Sequence, residues 1–316
     1  MGAAALREHF EPKFEQSFAW LREDGVPAFL ALGNHDWRSA FGAECEIGYS
    51  LRRATAWRLP FYFYRIEVRA PDGSRPLAEI LVLYSAPAHG DPRGENHARI
   101  GPRQRAWLAR ALARPAGGWR LAASHHPVWS AGGHTFLEFR SFHTDLLDSF
   151  LSVGARADLL LAGHNHWQES VRVPLGGAPA LQVVSGALSK VAFARMLERG
   201  YPFFNLLALN PIWRAGMSGD LATDPGAFLR RDRAVLARGF ALVELGEREG
   251  SVRFFGTAGE LYAESFTRSS TSRSTRAIAS SWRRTSGTQR SGVRTAVPSP
   301  ATGEQRRGVS TTRTCE

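Results

Sequence analysis

The sequence predicts an α/β fold built on two stacked β-sheets. Three observations carry that prediction. Short apolar runs of strand length recur along the chain, helical stripes separate them as far as Ser185, and the last runs follow one another without helices between. The runs are residues 26–32, 61–68, 80–84, 120–123, 159–162, 181–184, 240–245, 252–255 and 261–263. Ahead of the first, Phe10, Phe14, Phe18 and Leu21 recur at helical spacing and predict a helix over 6–23. Pro102 stands where a second helix should open, with Trp107, Leu108, Ala111 and Leu112 on one face. Leu146, Leu147 and Phe150 mark a third. The closing strands predict an antiparallel edge. A mostly irregular insertion is expected over 192–238; with Tyr201, Phe203, Phe204 and Trp213 it either covers a site or packs as a surface loop.

With 316 residues, 43% of them hydrophobic, the chain can bury a sizeable core in one large domain or two small ones. No run of 18 apolar residues occurs, so no membrane-spanning helix is expected. The first ten residues lack an apolar stretch, and no signal peptide is read there. Cys45 and Cys315 lie far apart, which argues against a disulfide framework and against a cysteine-based zinc site. The net charge of +11 is unevenly spread, because residues 267–316 hold 10 arginines against 2 acidic residues. That stretch has only 10 hydrophobic residues in 50, too few to offset its ordering entropy. The expected organisation is a domain over 1–266 and a disordered Arg/Ser/Thr-rich tail over 267–316. Nucleic acid is expected to bind only non-specifically, through this tail, where Trp282 alone could stack on a base. The other readings of the tail are a solvated appendage and an out-of-frame translation of a GC-rich gene.

No GxSxG elbow, P-loop or GxGxxG is present, so serine hydrolase and nucleotide-binding readings gain no support. The informative feature is the placement of histidine. The run 26–32 leads into Gly33-Asn34-His35-Asp36, the run 120–123 into His125-His126-Pro127, and the run 159–162 into Gly163-His164-Asn165-His166. Each motif alone has an ordinary explanation, since Gly, Asn and Asp favour turns. Three such turns at strand ends are another matter. If the strands are parallel neighbours, the turns share the carboxyl edge of one sheet, where open α/β folds build their sites. Imidazole suits first-row metals, and the asparagine carbonyl adds a harder ligand.

The ordered set resembles the calcineurin-like metallophosphoesterases over about residues 10–266. Pro127-Val128-Trp129-Ser130 with His134, and Val184-Ser185-Gly186, are more similar to the purple acid phosphatase branch. The resemblance implies an αββα sandwich of two stacked mixed sheets flanked by helices. It implies hydrolysis of phosphate esters by metal-activated water at a pair of divalent or trivalent ions, for which iron, zinc and manganese all suit the ligands. Asn34, His125 and His164 would hold one ion and His166 the other. His35 would protonate the leaving oxygen or stabilise the phosphoryl charge, with Asp36 orienting it, and His134 would face the substrate. His126 is expected to serve packing or the outer shell, because neighbouring side chains on an extended segment point opposite ways.

The family carries two further motifs ahead of Gly-Asn-His-Asp: an Asp-x-His, then a Gly-Asp whose Asp bridges the metals. Neither occurs before Pro27, and Gly90-Asp91 and Gly219-Asp220 come later in the chain. The expectation is therefore a domain incomplete at its N-terminus, with a sheet edge left uncovered. Two dications ~3.5 Å apart repel by roughly 19 kcal/mol at an effective dielectric of ~20, and carboxylates ordinarily offset this. Impaired metal pairing and slow turnover follow. The alternative function is a non-catalytic, degenerate member that binds metal or phosphate.

Overall fold

The computed structural model describes residues 10–36, 42–51, 55–85, 95–128, 130, 157–175, 178–188, 233–235, 237–268 and 293–296. The expected third helix around 146–150, His134, and most of the insertion and the tail lie outside them.

The centre of the fold is a mixed sheet. It contains β3 (Tyr64–Arg69), β4 (Pro76–Leu83), β5 (Trp119–Ser124), β6 (Leu159–Ala162), β7 (Gln168–Leu175), β8 (Ala178–Ser185), β9 (Arg233–Val235) and β13 (Val293–Ala296). Their order is β13-β3-β4-β5-β6-β8-β7-β9. The inner strands β4, β5, β6 and β8 run parallel. They are largely apolar on both faces, as strands covered on both sides tend to be, with Arg120 on β5 ion-paired to Glu79 on β4. The crossover from β4 to β5 is α3 (Glu95–Leu112). Its buried Trp107, Leu108, Ala111 and Leu112 pack with Phe63, Leu81, Ala122 and Leu160 on one face of the sheet. On the other face lies a second sheet of β10 (Gly239–Leu245), β11 (Glu249–Gly256) and β12 (Gly259–Thr267). Val252, Phe254 and Phe266 meet Ala78, Trp119, Leu121, Leu159, Leu181 and Val183 between the layers. Alternation along β10 and β11 presents one buried face of this sheet, as its sequence period requires. Stacked sheets with a helix on the outside are thus present. The smaller sheet is antiparallel throughout.

Local structure departs from expectation in several places. The predicted N-terminal helix is instead a π-helical turn, Glu11–Glu15, followed by α1 (Ala19–Glu23). Phe10 stacks on Tyr49 at 4.0 Å and Phe14 meets Trp57 edge-on at 4.9 Å. The buried Glu15 carboxylate accepts the hydroxyls of Tyr49 and Thr55. These tertiary contacts override the α-helical register. Pro102 sits inside α3 rather than opening it. The helix continues through it because the burial of residues 107–112 outweighs the lost hydrogen bond, which costs about 3 kcal/mol. Helix α2 (Gly42–Ser50) is a further element, and its Cys45 is buried. Within the expected tail, Val293–Ala296 departs from disorder by pairing antiparallel with β3 along the sheet edge.

The strand over 26–32 is reduced to β1 (Ala28–Phe29), paired in parallel with β2 (Trp57–Arg58) and not with the large sheet. Three parallel neighbours in one sheet are therefore not what carries the three motifs. Two of them sit on neighbouring strands β5 and β6. The third arrives on a separate short ladder, tied to the large sheet by the Tyr64 hydroxyl, which donates to Leu30 O at 2.7 Å.

Candidate metal centre

Because β4, β5, β6 and β8 are parallel, their carboxyl ends share one edge, and the segments that follow them meet there. Ser85 follows β4, His125 and His126 follow β5, His164 follows β6, and Gly186 follows β8. The turn Gly33–Asp36 joins them from β1.

His125 is the hub. Its Nε2 lies 3.1 Å from Asn34 Oδ1 and 3.1 Å from His164 Nδ1. The first contact closes 91 residues of sequence and the second 39. Gly33 permits the approach, since a Cβ there would sit 2.7 Å from ring atoms of His125. His164 adopts φ 62°, a left-handed conformation that a non-glycine residue pays for in strain, and such outliers cluster at functional sites.

His126 is fully buried, and its Nδ1 lies 3.0 Å from Ser85 Oγ. The expectation that its side chain points away from His125 does not hold. Strand β5 ends at Ser124, so the two histidines lie in a bend where strand alternation no longer applies. The His126 ring lies 4.8 Å from that of His125 and 4.4 Å from that of His164. The ligand atoms of His125, His126 and His164 all lie within 4.8 Å of one another. His166 is half-buried and is not one of these three.

His35 is exposed on its turn, beside Asp36. Asp36 Oδ2 accepts the Gly33 N–H at 2.6 Å. Burial pushes the Asp36 carboxyl upward, against the opposing pull of the Gly33 N–H, a hydrogen bond from Glu46 and the nearby His35. Glu46, on α2, is pushed up to about 9 by burial, by the Asp36 charge and by its hydrogen bond to Asp36. Sequence reasoning missed this residue. A signal was present: Glu46 follows the buried Ala43 by three residues and precedes the buried Tyr49 by three, so it shares their helix face.

A second layer holds the loops. Gln182 Oε1 accepts the Val128 N–H at 2.7 Å, and Ser124 Oγ donates to His126 O at 2.8 Å. The buried Glu169 accepts Ser130 Oγ at 2.5 Å and Trp167 Nε1 at 3.2 Å.

The donor set suits a cation. Metal–ligand bonds of about 2.0–2.1 Å place neighbouring donors about 2.9–3.4 Å apart, which matches the 3.1 Å edges at His125. A single Nε2 carries either a proton or a lone pair, and so cannot serve both Asn34 Oδ1 and His164 Nδ1 with linear hydrogen bonds. A shared cation accepts all three lone pairs.

A helix outside the sheet, stacked sheets and a histidine cluster at the parallel edge thus stand together in one α/β fold. Residues 4–168 match the calcineurin-like phosphoesterase family, and the chain belongs to it. Among solved structures it is similar to one titled "Structure of PhoD", at 14% identity and a TM-score of 0.39. That likeness covers 69% of this chain, which spans 42% of the other's length. No curated protein matches the chain.

Proposed function

We propose that this chain is a metal-dependent phosphoesterase, with Asn34, His125 and His164 holding one cation and His166 contributing to a second position. The convergence of Asn34 Oδ1, His125 Nε2 and His164 Nδ1 from three separate turns carries the reading. When bound, such cations neutralise phosphoryl charge and make water nucleophilic near neutral pH. The protein's own part is placement. Ser85 fixes His126, which packs against both ligand rings, and Gly33 lets the Asn34 turn close on His125. His35, exposed on that turn, gives a proton to the leaving oxygen or stabilises phosphoryl charge, with Asp36 orienting it, and the family resemblance assigns a substrate-facing role to His134, which lies outside the described residues. The substrate class is a phosphate ester, and the preferred ion stays open among iron, zinc and manganese.

A second reading, a non-catalytic member that binds metal or phosphate, is favoured by one observation. Among the described residues the cluster contains no carboxylate to offset the repulsion between two ions. One experiment separates the readings. Metal content by elemental analysis and hydrolysis of a chromogenic phosphomonoester are measured for the wild type, His35→Ala and Asn34→Ala. The first reading expects His35→Ala to lose about 10²–10⁴-fold in turnover with metal content intact. Metal without turnover in the wild type supports the second reading. Unchanged metal content in Asn34→Ala ends the assignment of Asn34 as a ligand.

A further inference from the structure

We propose that Glu169 is a positioning residue for the cation site: its buried carboxylate takes one hydrogen bond from each of the two histidine-bearing segments and so sets how His125 and His164 face each other. The inference rests on the reading of both histidines as ligands.

Glu169 is the second residue of β7, the strand that follows the turn carrying His164 and His166. It pairs with Val184, and Val171 pairs with Gln182, so Glu169 and Gln182 share one face of the large sheet. Val128 and Trp167 are buried in the core on that face. The Glu169 carboxylate is fully buried and accepts the Ser130 hydroxyl at 2.5 Å and the Trp167 indole N–H at 3.2 Å. Ser130 belongs to the segment that begins with His125, and Trp167 directly follows His166. One carboxylate therefore bridges the segment after β5 and the segment after β6. Gln182 supports the first of these from below, accepting the Val128 N–H at 2.7 Å.

The two turns need such a bridge. The β5–β6 ladder ends at Ser124 and Ala162, short of both ligands. Beyond it the Gly163 N–H donates to His125 O at 3.0 Å, which joins the backbones and leaves each imidazole to be aimed by its own segment. Burial of Val128 and Trp167 holds the segments down but has no direction. Hydrogen bonds to a carboxylate fixed in the sheet do have direction. Burying a carboxylate is costly unless donors meet it, and an apolar side chain of similar volume would fill the space at less cost. What the acid supplies is an acceptor able to serve donors from two segments at once. A shift of one turn against the other breaks one of the two bonds and opens the 3.1 Å contact between His125 Nε2 and His164 Nδ1.

The test is cobalt(II) affinity of the full chain and the visible absorption of the bound ion, alongside thermal unfolding. We expect Glu169→Ala to weaken affinity about 10–100-fold and to change the absorption bands, as loss of an outer partner of a ligand does. Glu169→Gln, which keeps the shape and one acceptor oxygen, should recover part of that loss. Ser130→Ala should weaken affinity in the wild type and cost nothing further in a Glu169→Ala background, because both act through one contact. Phe254→Leu, in the core between the sheets, should lower the melting temperature and leave affinity and spectrum unchanged. Wild-type affinity and spectrum in Glu169→Ala, an equal cost of Ser130→Ala in both backgrounds, or an equal loss of affinity in Phe254→Leu overturns the proposal. If Glu169→Ala does not fold, Glu169→Met fills the volume without a carboxylate and is read the same way. If His125→Ala leaves affinity unchanged, the ligand reading fails; if it weakens affinity while Glu169→Ala does not, only the role of Glu169 fails.

Discussion

The proton on Glu46 sets a pH dependence that belongs to single residues. Its carboxyl rises from the usual 4.5 to about 9 on folding, so the folded chain binds a proton that the unfolded chain has released by neutral pH. Stability from this group is complete below the unfolded value and is lost as pH rises through the folded one. Between pH 5 and 9 the melting temperature of metal-free protein should therefore fall. Glu46→Gln, which cannot ionise, should flatten that decline. A melting series in EDTA checks it, and parallel slopes for the two proteins would contradict it. The histidines show what a sequence can and cannot disclose at this scale. Asn34, His125 and His164 stand out because each follows an apolar run in a turn, a pattern visible in the linear chain. The place of His126 depends on where β5 stops, and that end is settled by hydrogen bonds such as the one Ser85 Oγ accepts from the His126 N–H and the local one Ser124 Oγ donates to His126 O.

At the scale of elements, the strands with continuous apolar runs were legible: residues 159–162 are β6 without adjustment, and 120–123 and 240–245 differ from β5 and β10 by one or two residues. Burial on both faces gives β5 and β6 their apolar runs, and one-sided burial gives β10 its alternation. Strand β7 was not legible, because Gln168, Glu169, Ser170 and Arg172 interrupt its apolar pattern, and its burial comes from β8 and β9 on either side. The N-terminal helix failed for the opposite reason. Its stripe was real, but two of its aromatics are committed to Tyr49 and Trp57, so contacts distant in sequence decided its winding. The two sheets are held together by a small set of large side chains. Phe254 is fully buried between them, and Phe254→Ala should cost about 3–5 kcal/mol in urea unfolding. A loss under 1 kcal/mol would mean that the smaller sheet contributes little to the core.

For the whole molecule, the edge of the large sheet is the exposed liability. Val293–Ala296 pairs with β3 and hides one row of backbone donors and acceptors. Ending the chain after Arg268 should leave β3 open and raise self-association, visible by sedimentation, while a cation at 100 times its Kd should stabilise either form by about 2.7 kcal/mol. A truncated form that stays monomeric would show that the edge needs no cover.

The contacts that meet at His125 span 91 and 39 residues of chain. No peptide excised from either region could reproduce the pocket, and a slip of one residue in the β5–β6 register would move one imidazole about 3.3 Å along the strand direction relative to the other. Ion uptake is thereby a proofreading signal for the assembled architecture, answering only to molecules whose distant segments have all arrived.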